Sequence, residues 1–131
     1  MLDQVVIHSD KAILEIASNK SEYITVKFSS DGVHVETNPF IHTDGQDLAL
    51  YFQELADHWN GWDGSRIWKS VEDDLQFDAT YDILGYVNLK VSLIKNQGSL
   101  SEWKFVGVVR IEVGSLDPYA KSFKSLFASI S

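Results

Sequence analysis

Carboxylates are the side chains of this sequence with the greatest capacity for chemistry, and they are concentrated in its middle third. Residues 44–82 carry ten acids and two bases, a net charge of −8 that equals the net charge of the whole chain. Such a field repels phosphate and favours basic partners, although an acidic surface can also serve solubility alone. We therefore expect a basic protein rather than nucleic acid as partner. The acids that could contact it are Asp57, Asp63, Glu72, Asp73, Asp74, Asp78 and Asp82.

The spacing of these carboxylates argues against a metal site or acid–base catalysis. On an extended strand Asp74, Asp78 and Asp82 would share one face at intervals of about 13 Å, which is too far apart for one ion. The four histidines stand neither at ligand spacing nor beside a nucleophile, and the sequence has no cysteine and no glycine-rich phosphate loop. We predict no catalytic residue, no metal and no cofactor, and hence a protein that is not an enzyme.

A tryptophan-rich stretch, residues 59–72, contains three of the four tryptophans together with two glycines and one arginine. Tryptophan and arginine are enriched in binding hot spots. A structural interpretation competes, in which Trp59 and Trp103 belong to the core and the stretch joins a helix to a sheet. A second hypothesis is a ligand pocket between helix and sheet. Its predicted lining residues are Trp62, Arg66, Trp68 and Tyr81.

Apolar residues recur at helical spacing in two segments. The first, residues 45–59, follows possible caps at Thr43 and Asp44 and stops at an Asn-Gly pair. The second, residues 117–130, begins with Asp-Pro, which suits a helix start, and continues its apolar stripe to Ile130. Both stripes need an apolar surface to cover, so we expect both helices to pack on a sheet.

Alternating apolar and polar residues predict about seven strands. Four fall in the first third, with Asp31-Gly32 as a hairpin turn, and three follow the tryptophan-rich stretch. Because most connections are hairpin-length, the sheet should be mainly antiparallel and the fold α+β. The sequence leaves open whether this sheet is continuous. We expect one domain spanning residues 1–131, in keeping with its length.

Hydropathy and the first residues of the sequence predict a cytoplasmic protein with no membrane association. No apolar run approaches the ~20 residues of a membrane span. The start, Met-Leu-Asp-Gln-Val, lacks the basic and apolar regions of a signal peptide.

The tryptophan-rich stretch has the pattern Trp-x-Gly-Trp-x-Gly-x-Arg-x-Trp-x-Ser-x-Glu, from Trp59 to Glu72. This pattern resembles an uncharacterised family of small bacterial domains, a resemblance that implies no catalytic residues. The layout of helix, turn, glutamate and strands is also loosely similar to immunity proteins of bacterial toxin systems. The expectation is a binding module, such as an immunity protein that holds a basic toxin on an acidic surface. A small-molecule-binding domain or small enzyme, and a structural homodimer, are the alternatives.

Overall fold

A computed structural model describes residues 4–19, 22–41 and 45–128 of the chain. The described chain begins with four antiparallel strands in sequence order, which form the first sheet. At the turn between the third and fourth strands, Asp31 and Gly32 both have positive φ, as the predicted hairpin requires. These strands are β1 (Gln4–His8), β2 (Ala12–Asn19), β3 (Tyr23–Ser30) and β4 (Val33–Thr37).

A helix separates this sheet from a second four-stranded antiparallel sheet, also in sequence order. A short 3₁₀ turn, residues 113–115, then leads into the last helix. The elements are α1 (Gln46–Asp57), β5 (Ser65–Lys69), β6 (Leu75–Tyr81), β7 (Tyr86–Lys95), β8 (Trp103–Glu112) and α2 (Leu116–Ala128).

The α+β class and the antiparallel pairing are confirmed, but the prediction of one sheet with about seven strands is wrong. The described chain has eight strands in two sheets of four. The missed strand is β5, which lies inside the tryptophan-rich stretch that we interpreted as a joint. Its residues alternate in exposure and pair with β6, with Trp68 opposite Phe77. In the chain, α1 follows the last strand of the first sheet and precedes the first strand of the second.

The predicted apolar stripe of α1 is buried from Leu48 to Ala56, but the tryptophan at its end is not. The helix ends at Asp57, two residues earlier than predicted, and Trp59 is 63% exposed in the following loop. Trp103 is also partly exposed, at 38%. The assignment of these two tryptophans to the core is therefore wrong, because one follows the helix and the other opens a strand.

The starts of both helices differ slightly from the predicted ones. The cap of α1 is Gly45, with a φ of 79° and no side-chain cap hydrogen bond. The predicted caps Thr43 and Asp44 lie outside the described residues. Helix α2 begins at Leu116, and its predicted end at residue 130 also lies outside them.

One hydrophobic core joins both sheets and both helices. Phe52 of α1 stacks on Phe123 of α2 with ring centroids 4.2 Å apart. The sheets meet where Phe28 of β3 packs on Phe105 of β8, over the bare backbone of Gly107. Among the described helices, none is long and apolar enough to cross a membrane. Because the core fills the interior, the loops and the outer faces of the sheets are the surfaces that a partner can reach.

Candidate partner-binding surface

The predicted acidic residues do not form one continuous surface. Residues 72–74 lie in the turn between β5 and β6, whereas Asp82 follows the far end of β6. The seven residues of β6 separate Asp74 from Asp82, a distance of roughly 26 Å along an extended strand. Asp57 and Asp63 flank the loop after α1. The acids therefore form two groups at opposite ends of β6, with Asp78 between them.

The carboxylates of residues 72–74 lie in a turn held by local hydrogen bonds. The hydroxyl of the buried Ser70 donates to Asp74 Oδ1 at 2.6 Å and accepts the backbone N–H of Leu75 at 3.0 Å. Asp73 has a φ of 59°, a conformation that aspartate tolerates better than most residues. The Asp74 carboxylate thus stabilises the turn of the hairpin. Glu72 and Asp73 are exposed beside it.

Asp78 lies in the middle of the second sheet, opposite Ile67 on one side and Lys90 on the other. Its residue is only partly exposed, and its Oδ1 is buried without a hydrogen-bond partner among the described residues. A carboxylate placed in this way is a poor first contact for a partner, because its neighbours in the sheet already surround it.

Asp82 organises the turn between β6 and β7. Its carboxylate accepts the backbone N–H groups of Leu84 and Tyr86, the amide of Asn88 and the guanidinium of Arg110. Desolvation alone would raise the pKa of Asp82, but these hydrogen bonds, led by that from Asn88, hold the pKa below its ordinary value. The charge of Asp82 therefore stabilises this turn.

The Asp82 network should make stability depend on acid pH. Because the folded-state pKa is lowered, the unfolded chain binds more protons as pH falls through the ordinary carboxyl range. The Asp82 contribution is therefore complete above the unfolded pKa and is lost as pH falls through the folded one. We expect Asp82→Asn to lower the melting temperature at pH 7. Below about pH 4, the melting temperature of the variant should fall less steeply with pH than that of the wild type. Calorimetry of both proteins from pH 7 to 2 checks this, and parallel curves would contradict it.

Three of the four predicted pocket residues form a cluster at the edge of the second sheet. The guanidinium of Arg66 lies 5.5 Å from the centre of the Trp62 ring, and Trp62 packs edge-on against Tyr81 at 5.2 Å. Trp62 Nε1 donates to the carbonyl of Ala79, and the Tyr81 hydroxyl donates to the carbonyl of Trp59. The cluster holds the loop after α1 against the sheet.

Trp68 lies apart from this cluster, beneath α1. It stacks on Phe77 at 5.7 Å, and its Nε1 donates to Asp47 Oδ2 at 3.1 Å. Beside it, burial raises the pKa of the Tyr51 hydroxyl, and that neutral hydroxyl donates to the carbonyl of Arg66 at 2.8 Å. Protein side chains thus fill the space between helix and sheet at this position.

Exposed apolar side chains collect at one end of the molecule. Trp59 is 63% exposed, Leu84 72% and Ile83 fully. They belong to loop 58–64 and turn 82–85, and the hydrogen bond from Tyr81 to the carbonyl of Trp59 ties this loop to β6 just before the turn. We call these two segments, with the adjoining 3₁₀ turn 113–115, the loop end.

Two shallow depressions of about 500 Å³ mark the loop end. In one, Trp59 lies with Asp57 and Asp117, and in the other Trp62 and Ile83 lie with Asp63. Acids thus flank the apolar residues in both. Asp117 already pairs with Lys121 at 2.9 Å, whereas Asp57 accepts one hydrogen bond, from the amide of Gln53 at 2.9 Å, and forms no ion pair with a described residue. Asp57 and Asp63 are therefore the acids that we assign to a partner.

Sequence reasoning missed the apolar residues of the loop end. Trp59 continues the helical stripe by spacing and was therefore assigned to the core. Ile83 and Leu84 lie in the connection between two predicted strands, β6 and β7, and we predicted no role for either residue. Two consecutive aliphatic residues in a tight turn are a usable signal, because a turn that serves only as a connection usually carries polar residues.

No three described histidine or acidic residues lie close enough together to hold a metal ion. A model of DUF6228, a family of unknown function, matches residues 6–129, which agrees with the resemblance to an uncharacterised family. No curated protein matches the chain. Since the family model spans nearly the whole sequence, the chain belongs to DUF6228.

Proposed function

We propose that this chain is a non-enzymatic binding protein that holds a basic protein partner at its loop end. The observation that carries the proposal is the exposure of Trp59 beside Asp57 and of Ile83 beside Asp63, with the exposed Leu84 next to Ile83 in the turn. Large apolar side chains are costly to leave in water, and a group of them within an acidic surrounding is typical of a recognition surface.

The two kinds of residue have different roles in this proposal. Trp59 supplies a large, rigid contact area of the type that dominates binding energy. Asp57 and Asp63 steer and select a basic partner, and they raise the association rate more than the affinity. The loop end is held in place by the Trp62–Tyr81 contact and by the hydrogen bonds of Asp82, so little ordering is required on binding.

An immunity protein that neutralises a basic toxin in a bacterial cytoplasm is the specific form of the proposal. The concentration of acids in residues 44–82 supports it, since toxins that act on nucleic acid are commonly basic. The loose resemblance of the sequence layout to immunity proteins is the second reason for proposing this form. An acidic surface would then compete with phosphate for the basic face of the toxin.

A structural homodimer is the second candidate, and the outer face of the second sheet favours it. Ile67, Val106 and Val108 are each about half exposed on that face. Pairing of two such faces would bury these aliphatic side chains. Light scattering of the purified protein over a range of concentrations tests this candidate, since only self-association makes the mass rise with concentration.

Replacing Trp59 with alanine should abolish capture of a basic partner from native lysate and leave the fold intact. Truncating a central aromatic anchor typically costs at least 2 kcal/mol of binding, whereas an exposed tryptophan contributes little to stability. Immobilised wild-type and variant proteins would be compared by quantitative mass spectrometry and thermal melting.

Leu100→Ser is the matched control, because Leu100 is fully exposed and lies outside the loop end. It should retain the partner at the wild-type level. Equal capture of the same basic protein by wild type and Trp59→Ala would place the binding surface elsewhere. Recovery of no basic protein by the wild type would count against the proposal as a whole.

A further inference from the structure

A concavity of the described chain lies at the junction of the two sheets, and the proposed partner surface does not use it. It has a volume of about 640 Å³, within the range of small-molecule sites. Its walls are the turn between β1 and β2, the end of β8, and the start of α2. We call it the junction groove. Among the described residues the two sheets form separate hydrogen-bonded ladders, and the groove lies where β1 approaches β8.

Arg110 is held in a fixed orientation on one wall of the junction groove. Its guanidinium lies 3.8 Å from the centre of the Tyr86 ring, and its Nη2 donates to Asp82 Oδ2 at 3.1 Å. Asp82 is itself anchored by three further hydrogen bonds, so the arginine rests on a rigid support. A guanidinium has five N–H donors, and its side chain here is 43% exposed. Donors remain for a carboxylate from solution.

Glu112 lies two residues further along the same face of β8, at a separation of about 7 Å. Arg110 pairs with Asp82 rather than with Glu112, and Glu112 forms no ion pair with any described residue. The groove thus offers a cation donor and a free carboxylate side by side. Lys11 and Asp10 repeat this combination on the opposite wall, so the lining itself carries two acids and two bases, and Asp82, the partner of Arg110, is not among the lining residues.

We propose that the junction groove binds a free amino acid in its zwitterionic form. The ligand carboxylate would accept hydrogen bonds from Arg110, and its ammonium group would donate to Glu112. A balanced lining favours a ligand with both charges over a simple anion or cation, because each single charge would meet a like charge nearby. The ring of Tyr119 completes the wall towards α2 and leaves an apolar surface for the side chain of the amino acid.

The test is a titration of the full chain with the standard amino acids, followed by amide chemical shifts in two-dimensional NMR. At least one should bind saturably in the millimolar range or tighter and perturb residues of the junction groove. The N-acetyl derivative and the decarboxylated amine of that amino acid should each bind at least tenfold more weakly, because each lacks one charged partner.

Glu112→Gln should reduce the affinity for the amino acid about tenfold and should fold normally, since Glu112 is exposed. Glu36→Gln removes an exposed acid from β4, outside the groove, and should bind like the wild type. The proposal is overturned if no amino acid binds saturably, if the N-acetyl derivative binds as well as the parent, or if Glu112→Gln has no effect.

Discussion

Replacing Phe77 with alanine should lower the free energy of unfolding by about 3–5 kcal/mol, the usual cost of deleting a buried phenylalanine ring. Phe77 is fully buried in the centre of β6. Its ring contacts Tyr51 and Phe52 of α1 and Trp68 of β5, with centroids 5.7 to 6.3 Å apart. The substitution would leave a cavity under α1 that three rigid rings cannot easily fill. Urea unfolding followed by circular dichroism measures the change.

Ile67→Ala is the matched control for this prediction. Ile67 lies on the neighbouring strand β5, but it points to the outer face and is 52% exposed. Its replacement should change the unfolding free energy by about 0.5 kcal/mol or less. A loss below about 1 kcal/mol for Phe77→Ala would contradict the packing of α1 on the second sheet.

Gly45→Ala should cost about 2–5 kcal/mol of stability, more than most glycine substitutions. Gly45 caps α1 with a φ of 79°, a left-handed conformation that costs a residue with a side chain about 1–2 kcal/mol. An added Cβ would also overlap the ring of Phe127 near the end of α2. Overpacking of this kind typically adds about 1–3 kcal/mol. Chemical denaturation of the purified variant gives the value.

Gly32→Ala separates the two contributions to that cost. Gly32 has nearly the same φ, 82°, but apart from its two chain neighbours no described residue has an atom within 4 Å of an added Cβ. Its replacement should therefore cost only the conformational part, about 1–2 kcal/mol. If both variants lost the same stability, the start of α1 would not be packed against the end of α2.

Alternation of apolar and polar residues was enough to predict seven of the eight strands, because one face of each strand is buried. Strand β5 was missed since its five residues lie among tryptophans and glycines that indicate a turn as readily as a strand. Its role depends on pairing with β6, where Trp68 lies opposite Phe77. Pairing between distant segments is not encoded in local periodicity, and neither is the division into two sheets.

The candidate surface could be predicted only in part. The distribution of charge along the sequence shows where the acidic residues are concentrated. The distance between them in the fold depends on which end of β6 each one occupies. Asp82 shows the limit most clearly, since one of its partners, Arg110, is 28 residues away in sequence. The exposure of Trp59 could not be predicted either. Helical spacing places this residue on the buried stripe, but the helix ends at Asp57.

The proposed binding of a basic protein at the loop end is tested most directly by the mass of the protein isolated from its own cells. Native purification followed by size-exclusion chromatography with light scattering should show a complex of one chain with one basic partner. The Asp57→Lys, Asp63→Lys double variant should form this complex more slowly. Its association rate should also no longer fall as the salt concentration rises. A monomer or homodimer without a basic partner, under conditions where the chain is intact, would contradict the account.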